Sequence, residues 1–433
     1  MRKLLPLERD EITPVLIATA YGFCILLSYY ILRPVRDDIS SADRGNLQIL
    51  WTAVFLVMLV AVPLYSAAVS RYSRGVFIPL ANRIFAVNLL AFYAVLVMLP
   101  ETARPWIDRV FYVWTSVFAL FVVTVFWGFI ADLFRNQQGR RLFGFIAVGS
   151  SLGGIAGGLI TAFAVEVLPA FTLLLLATVP LEVAARLARA LHLRSGREHT
   201  ALRREGPELI KGTSLSGIKT VFESPYLIRI AGYLALMTFA STVLYFQQAE
   251  LIGQAFTDRA ARTAFYAKID IASNVLTLFT QGLLAAHVIR KIGIGLSLAV
   301  LPTLTILGFL SLGLYPLLTV LVVFQVLSRA TRYGISRPAR EVLFTVVSRE
   351  ERYKSKAFID AAVYRGGDLV SGWIYHGLAV LGLSLGAIAL VAVPLAAVWA
   401  GVGIALGRRQ EDLVAASGPD DVPATGAVPA TAG

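Results

Sequence analysis

The stretch YYILRPVRDDIS, residues 29–40, closes the first long apolar run of the chain with two arginines followed by two aspartates. A charge at the centre of a bilayer costs about 2.5–3.5 kcal/mol on insertion scales, so charges at helix ends and in cavities tend to be functional. A second stretch of this kind, RYGISRPARE, occupies residues 332–341. We interpret the two stretches as places where a membrane protein holds an anion.

The composition is that of a polytopic membrane protein. Hydrophobic residues make up 57% of the chain and charged residues only 15%, which excludes an ordinary soluble domain. The single cysteine, Cys24, excludes an intramolecular disulfide. The net charge of +12 is concentrated in short loops between apolar runs, as membrane topology requires. We therefore expect the lipid bilayer as a partner, and no nucleic acid.

Charged and Gly/Pro breaks divide the chain into about twelve apolar spans, each close to the roughly 20 residues that a membrane crossing requires. The spans are predicted at 12–32, 47–69, 77–99, 110–131, 142–165, 168–191, 226–248, 264–287, 294–314, 317–347, 357–380 and 385–406. The predicted fold is therefore an all-α membrane protein. Its predicted parts are an N-terminal six-helix bundle (1–191), a basic linker (192–225), a C-terminal six-helix bundle (226–406) and a disordered tail (407–433).

The basic residues of the loops fall on one side of the membrane if the spans alternate, and several opposite loops carry no cation. By the positive-inside rule, this predicts a multi-pass protein of the inner (cytoplasmic) membrane with both termini and the linker in the cytoplasm. Six spans, a basic loop and six further spans are the plan of the major facilitator superfamily. Parallel repeats of this kind place the binding site near the membrane midplane.

The tenth predicted span is a candidate transport site. Its apolar part, residues 317–327, is only about half the length of a crossing, and a charged part with Arg332, Arg340 and Glu341 follows before apolar sequence returns. A charged span that Gly and Pro interrupt is a sequence sign of a transport site. The alternative is a span that ends at Leu327 and continues as a basic cytoplasmic loop. The return of apolar sequence argues against this alternative.

Arg33, Arg36 and Asp37 are candidate anion-binding residues in the first stretch. The structural alternative is a helix end with its ion-pair partners, because a helix from Pro14 to Arg36 rises about 33 Å, enough to cross the core. The predicted outer location favours a function, since positive charge is least expected on that side.

Further charges lie inside the predicted spans: Lys268 and Asp270 in the eighth, and Asp360, Arg365 and Asp368 in the eleventh. Within a bilayer such charges pair with one another or face a cavity. They are interpreted either as ion pairs that fix the bundle or as coupling residues on the translocation path, and the sequence does not separate the two.

The glycine-rich run at residues 149–158 predicts close packing of two helices. Its glycines recur at four-residue spacing within an apolar span, which is typical of helix contacts in membranes. The run lacks the Gly-Lys-Ser/Thr ending of a phosphate-binding loop. We therefore favour packing over phosphate binding.

Neither a metal site nor an enzyme is predicted. The four histidines are scattered without metal-ligand spacing, so neither a metal nor a cofactor is expected. No nucleophile with a nearby acid–base partner can be identified in the sequence.

Several motifs resemble the ATP:ADP antiporter (NTP/NDP exchange) family of plastids and intracellular bacteria, a branch of the major facilitator superfamily. Residues 30–37, YILRPVRD, resemble the end of the first helix of that family, and residues 126–132 and 140–144 resemble its fourth and fifth helix motifs. Residues 332–341 and 356–360 resemble two later motifs in the same order. The resemblance implies two cations that bind substrate, carried here by Arg36 and Arg340, where the family has lysine.

The chain also departs from the family pattern. Nucleotide carriers of the family have functional acids in helices four and seven, near positions where this chain has Ser116 and Val243. We expect a monomeric secondary transporter for a nucleotide, by ATP/ADP-type exchange, or for a related phosphorylated anion. The alternatives are a permease for another anionic metabolite and a non-transporting membrane scaffold on the same fold. A scaffold would tolerate loss of Arg36 and Arg340.

Overall fold

The computed structural model describes residues 11–134, 136–199 and 214–416, and this part of the chain is built of helices without a strand. The helices of the first half are α1 (Ile12–Ala42), α2 (Leu47–Arg71), α3 (Arg74–Met98), α4 (Arg104–Leu133), α5 (Asn136–Val167) and α6 (Thr172–His199). Those of the second half are α7 (Ser214–Glu223), α8 (Pro225–Ala255), α9 (Arg259–Phe279), α10 (Ala285–Leu314), α11 (Leu318–Thr331), α12 (Arg337–Leu343), α13 (Arg349–Phe358), α14 (Tyr364–Val380) and α15 (Leu385–Ala416).

The all-α polytopic fold predicted from the sequence is confirmed. Within the described residues, 8 helices are long and apolar enough to cross a membrane by length and composition alone. The other predicted spans correspond to α6, to α9, to α11 with α12, and to α13 with α14, which carry several charges each. The predicted break between the eighth and ninth spans lies at Gly293, where φ is 79° and α10 kinks. Glycine adopts this left-handed conformation without steric cost.

Helix α1 continues well beyond Leu32, where the first predicted span ended, and reaches Ala42. It does so through Pro34, although an internal proline removes one backbone hydrogen bond. Asp37 and Asp38 are buried in this extension. The first cation motif is therefore part of a helix rather than of a loop that follows one.

Helix α5 packs directly on α1 through its glycines. A Cβ atom at Gly157 would lie 2.7 Å from the carbonyl oxygen of Leu27, and one at Gly153 would overlap the carbonyl oxygen of Phe23. Only a residue without Cβ permits such an approach. The packing interpretation of residues 149–158 is confirmed, and a phosphate loop is excluded because the run is helical.

Three π-helical turns interrupt the charged spans of the second half, at Thr280–Leu284, Arg332–Ser336 and Ile359–Val363. Such turns insert one extra residue into a helix and occur frequently at functional sites. Their positions coincide with the eighth, tenth and eleventh predicted spans, which the sequence marks by their internal charges.

Packing divides the chain into two units, which are described separately. The first comprises helices α1 to α6 together with Gln248–Val275, and the second comprises the remaining described residues. The end of α8 and most of α9 therefore pack with helices from the first half of the sequence. The linear division into two bundles at the basic linker stays a prediction.

Helices extend into both the predicted linker and the predicted tail. Helix α6 runs on to His199, and α7 lies within the linker. Helix α15 runs on to Ala416, so the disorder predicted from residue 407 is wrong for residues 407–416. The reason is packing: Gly407 lies against the backbone of Gly295, and Gln410 is buried. Residues 417–433 lie outside the described residues.

Candidate functional site

Arg36 and Asp37 form a tight ion pair in α1. Nη2 and Nε of Arg36 donate hydrogen bonds of 2.6 and 3.0 Å to Oδ1 of Asp37. The guanidinium carbon also lies 5.4 Å from the ring centre of Tyr112 in α4, within the range of a cation–π interaction. These contacts hold the planar guanidinium in one orientation inside the first unit.

Arg33, one turn earlier in α1, lies between two carboxylates. Its Nε is 3.5 Å from Oδ2 of Asp37, and its Nη1 is 3.5 Å from Oδ1 of Asp270 in α9. Charge-assisted hydrogen bonds are shorter, about 2.7–2.9 Å, and Nε of Arg33 has no hydrogen-bond partner among the described residues. Arg33 is thus held more loosely than Arg36. We call Arg33, Arg36, Asp37 and Asp270 the α1 cluster.

A second group of buried charges joins the end of α1 to the beginning of α9. Asp38 lies 2.6 Å from Nε of Arg262 and 3.2 Å from Nε of Arg259. Arg259 also donates two hydrogen bonds of 3.0 Å to Asp108 of α4. We call Asp38, Asp108, Arg259 and Arg262 the Asp38 network. It ties two helices from the first half of the sequence to one from the second half.

Arg340, in the second unit, is held less firmly than Arg36. Its Nη2 lies 3.8 Å from Oε1 of Glu341, too far for a hydrogen bond. Glu341 instead accepts a hydrogen bond of 2.5 Å from Nζ of Lys356 in α13. The side chain of Arg340 is only 14% exposed, so its donors are available within a largely shielded environment.

Buried polar groups without hydrogen-bond partners gather near Arg340. Arg340, Arg332, Ser336 and Trp399 all lie within interaction range of the Tyr233 hydroxyl. Nε of Arg332, Oγ of Ser336 and Nε1 of Trp399 have no hydrogen-bond partner among the described residues. Ser336 and Trp399 lie beside the Tyr233 oxygen, which can accept from them because the Tyr233 hydroxyl itself donates to the Leu298 carbonyl oxygen. Buried polar groups are normally satisfied, so Nε of Arg332 is the donor of this group that is suited to a ligand with acceptor oxygens.

The tenth predicted span is helical through its charged part. Helix α11 leads through the π-helical turn Arg332–Ser336 into α12, so the alternative of a loop after Leu327 is wrong. Packing stabilises the turn: Nε2 of Gln281, in the π-helical turn after α9, donates to the carbonyl oxygen of Tyr333 at 3.2 Å. The interruption predicted from Gly and Pro is therefore a π-helical turn within a continuous helix.

The other charged candidates differ in their surroundings. Lys268 is exposed and forms no ion pair with a described residue, whereas Asp270, two positions on, is buried beside Arg33. Residues two apart on a helix face different sides. Arg365 and Asp368 form a loose pair at 3.9 Å. Asp360 lies in the π-helical turn Ile359–Val363, and the structure does not describe its side chain.

Sequence reasoning missed the arginines of the Asp38 network and the groups around Tyr233. One signal was available for the network: Arg259 and Arg262 lie in a segment predicted to face outside, where cations are scarce. No comparable signal marked Tyr233 or Trp399, because each is an ordinary constituent of an apolar helix until its neighbours are known. Ser336 lies within the charged stretch 332–341, but its burial beside Tyr233 was not predicted.

The relatives found by comparison with known proteins are carrier proteins. No family model matches the chain. ADP,ATP carrier protein 1 of Chlamydia pneumoniae is 20% identical, over 92% of this chain and 91% of the relative. The chloroplastic ADP,ATP carrier protein 1 of Arabidopsis thaliana is 22% identical, over 87% of this chain and 70% of the relative. The chain is related to the ADP,ATP carrier proteins. These relatives are carriers rather than enzymes, which confirms the prediction that the chain is not an enzyme.

Solved structures confirm the predicted fold. The chain matches the POT family transporter PepTSo with a TM-score of 0.60 and 13% identity, over 93% of this chain and 98% of that chain. It matches the nucleoside transporter NupG with a TM-score of 0.56 and 12% identity, over 92% and 99%. The fold is therefore the major facilitator type, and at this level of identity the likeness concerns the fold alone.

Proposed function

We propose that the protein is a secondary transporter that moves a nucleotide, by ATP/ADP-type exchange, or a related phosphorylated anion across the membrane. One observation carries the proposal: two largely shielded arginines, Arg36 and Arg340, lie within helices at the positions where the family resemblance implies substrate-binding cations. Their side chains are only 16% and 14% exposed. The names of the related carriers support the substrate class.

The chemistry of the two arginines suits phosphate oxygens. A guanidinium offers planar, paired donors that match a phosphate group. Arg36 is pre-oriented by Asp37 and Tyr112. Arg340 and Arg332 both lie near Tyr233, and Nε of Arg332 has no hydrogen-bond partner among the described residues. In a low-dielectric environment such contacts are stronger than in water. We propose that Arg36 and Arg340 are both residues that bind the anion.

Alternating access requires contacts that form and break on one side of the membrane. Under the predicted topology, α1 ends on the outer side, and the Asp38 network would then act as an outer gate. Its ion pairs tie α1 and α4 to α9 within the first unit, and a movement of α9 away from α1 would separate them. Ion pairs suit this role because water can solvate the separated charges.

The cellular setting follows from the same topology. We propose that the protein lies in the inner membrane as a monomer, with both termini in the cytoplasm. Arg194 near the end of α6, and Arg408 and Arg409 in α15, would then lie on the cytoplasmic side, in agreement with the positive-inside rule.

Ligand-dependent stabilisation of the purified protein tests the substrate class. ATP, ADP, other nucleotides, phosphate, sugar phosphates and dicarboxylates are compared by thermal shift. A ligand at 100 times its dissociation constant stabilises the fold by about 2.7 kcal/mol. A shift with nucleotides that is lost in Arg36→Ala and Arg340→Ala supports the proposal. Arg290→Ala is the matched control, because Arg290 is exposed.

A permease for another anionic metabolite is the second candidate. The observation that favours it is the lack of acids at Ser116 and Val243: Ser116 donates to the Tyr112 carbonyl oxygen, and Val243 is fully buried. A thermal shift only with small anions would select this candidate. No shift with any anion, together with normal stability of both arginine variants, would select the non-transporting scaffold.

A further inference from the structure

A cavity of about 530 Å³ lies in the second unit, between the beginning of α8 and the end of α15. The segment between α12 and α13 and the first turn of α13 complete its walls. Neither Arg36 nor Arg340 lines it, so it is separate from the residues proposed to bind the transported anion. The lining side chains include Tyr226, Arg229, Val346, Val347, Glu351 and Arg409.

Hydrogen bonds fix two walls of this cavity. Tyr226, in the first turn of α8, is buried, and its hydroxyl donates a hydrogen bond of 2.9 Å to the carbonyl oxygen of Leu343 at the end of α12. Glu351 accepts hydrogen bonds of 3.1 and 2.9 Å at Oε2 from the backbone N–H and the hydroxyl of Ser348. These contacts form a capping box at the beginning of α13. The carboxylate of Glu351 is therefore engaged by its own helix.

The two arginines of the cavity keep their donors available. Arg229 and Arg409 are exposed, and neither forms an ion pair or a hydrogen bond with a described residue. Two arginines against one glutamate leave the cavity with a single positive charge. A guanidinium presents paired donors that match phosphate oxygens, and a phosphodiester carries a single negative charge. The cavity thus suits a phosphodiester both in its charge and in its hydrogen-bond donors.

Large apolar side chains are exposed next to the lining residues in the sequence. They lie at the end of α7, in the first turn of α8 and near the end of α15: Phe222, Ile228 and Val414. Under the proposed topology these ends lie at the cytoplasmic surface of the membrane, where lipid headgroups meet acyl chains. Basic pockets between membrane helices on that side bind phospholipid headgroups. A soluble phosphate compound would leave the apolar side chains uncovered, whereas the chains of a lipid would cover them.

We propose that this cavity binds the headgroup phosphate of an anionic phospholipid from the cytoplasmic leaflet, with Arg229 and Arg409 as the donors to its oxygens. The acyl chains would lie along the apolar side chains beside the cavity. The bound lipid would join the beginning of α8 to the end of α15 and so stabilise the second unit. Lipid binding here goes beyond the proposed function and is independent of which anion is transported.

Thermal unfolding of the purified full-length protein in detergent tests the proposal. Phosphatidylglycerol is compared with phosphatidylcholine, whose choline cation cancels the phosphate charge, and with two soluble compounds, glycerophosphoglycerol and inorganic phosphate. We expect phosphatidylglycerol to raise the unfolding temperature most. Arg229→Ala and Arg409→Ala should each lower the apparent affinity for it about tenfold or more, because each removes a charged hydrogen bond. Arg408→Ala is the matched control, since Arg408 is exposed and does not line the cavity.

Alanine at either arginine should leave the unfolding temperature without lipid unchanged, because neither side chain pairs with a described residue. Native mass spectrometry of the folded fraction should show one fewer retained phosphatidylglycerol in both variants than in Arg408→Ala. An equal loss of affinity in all three variants would mean general attraction to a basic surface and would overturn the site.

Two further outcomes would overturn the assignment to a lipid. One is the absence of any shift with phosphatidylglycerol. The other is a shift with glycerophosphoglycerol or inorganic phosphate that equals the lipid's and depends on Arg229 and Arg409, because the acyl chains would then contribute nothing. Since these variants keep Arg36 and Arg340, either outcome leaves nucleotide-dependent stabilisation, and with it the proposed function, intact.

Discussion

Two segments of the molecule share the pattern Arg-Pro-x-Arg and differ in how its charge is balanced. In α1 the sequence is RPVRDD at residues 33–38, and at α12 it is RPAREV at residues 337–342. Asp37, which follows the first pattern, is buried and contacts both arginines of α1. Glu341, which follows the second, is 43% exposed and is bound mainly by Lys356. The same motif is thus neutralised by its own helix in one place and left largely cationic in the other.

The backbone differs as well. Pro34 lies inside a long helix, where the missing N–H costs a hydrogen bond. Pro338 lies just after a π-helical turn within a continuous helix. The second motif therefore lies at an irregular turn of its helix, and the first lies within a regular helix. The comparison teaches that the charge of the α1 motif is balanced within its own helix, whereas that of the α12 motif is left largely unbalanced.

Loss of the carboxylate at each motif gives the largest expected contrast in stability. Asp37→Ala leaves two shielded arginines without their shared partner, and breaking a buried ion pair costs about 3–5 kcal/mol. Glu341→Ala removes an exposed partner, which is worth about 1 kcal/mol or less. Thermal or denaturant unfolding in detergent measures both. Equal losses of stability in the two variants would contradict the conclusion that the first motif is balanced and the second is cationic.

Loss of the arginines separates transport from stability. We expect Arg340→Ala to lower uptake by at least about 30-fold, because a charged contact to a ligand is worth about 2–5 kcal/mol. Its unfolding temperature should barely change, since the ion pair of Arg340 with Glu341 is loose. Arg36→Ala should lower both uptake and stability, because Asp37 loses its hydrogen bonds.

Exposed arginines of each unit serve as controls for these two variants. Arg194 in the first unit and Arg290 in the second are exposed, and alanine at either should leave uptake and stability unchanged. Normal uptake by both Arg36→Ala and Arg340→Ala would contradict the transport role of the motifs. A stability loss in Arg340→Ala as large as in Arg36→Ala would contradict only the comparison.

The fold could be predicted from the sequence because membrane crossings have a fixed length and a charge rule. Apolar runs of about 20 residues locate most spans. The break predicted between the eighth and ninth spans contains Gly293, where α10 kinks. The extension of α1 beyond Leu32 was missed, because Asp37 and Asp38 read as solvent-exposed until α9 is known to cover them. The length of helix α15 was underestimated for a similar reason, because the burial of Gln410 is seen only in the packed structure.

The candidate site could be predicted only where charge interrupts apolar sequence. Arg33 and Arg340 stand out for this reason, whereas the pairing of Arg33 with Asp270 is set by the approach of a distant helix. Asp270 illustrates this limit. The sequence placed it beside Lys268, but the helical twist turns the two apart and brings Asp270 to Arg33. Arg33 and Asp270 are 237 positions apart in the sequence, so no local sequence pattern indicates that they pair.

Replacement of arginine by lysine should have a smaller effect that again differs between the motifs. Arg36 uses two nitrogens on one carboxylate oxygen and stacks over Tyr112, and lysine cannot reproduce this planar geometry. We expect Arg36→Lys to raise the KM for the anion about tenfold, the equivalent of about 1.4 kcal/mol. Arg340→Lys should raise it much less. Initial uptake rates over a range of substrate concentration measure the difference. Equal effects would indicate that the anion, rather than the protein, orients both side chains.

The smallest expected effect is a lower KM for the anion after a change at Glu341. Glu341 lies 3.8 Å from Arg340 and engages Lys356, so it competes with an incoming anion for both cations. Glu341→Gln keeps the shape of the side chain and removes this competition. We expect the KM for the anion to fall about two- to fivefold, the equivalent of less than about 1 kcal/mol, with the largest gain at low ionic strength. Glu223→Gln, at an exposed pair with Lys219, is the control. A rise in KM for Glu341→Gln would mean that the carboxylate positions Arg340 for the anion, and the second motif would then resemble the first.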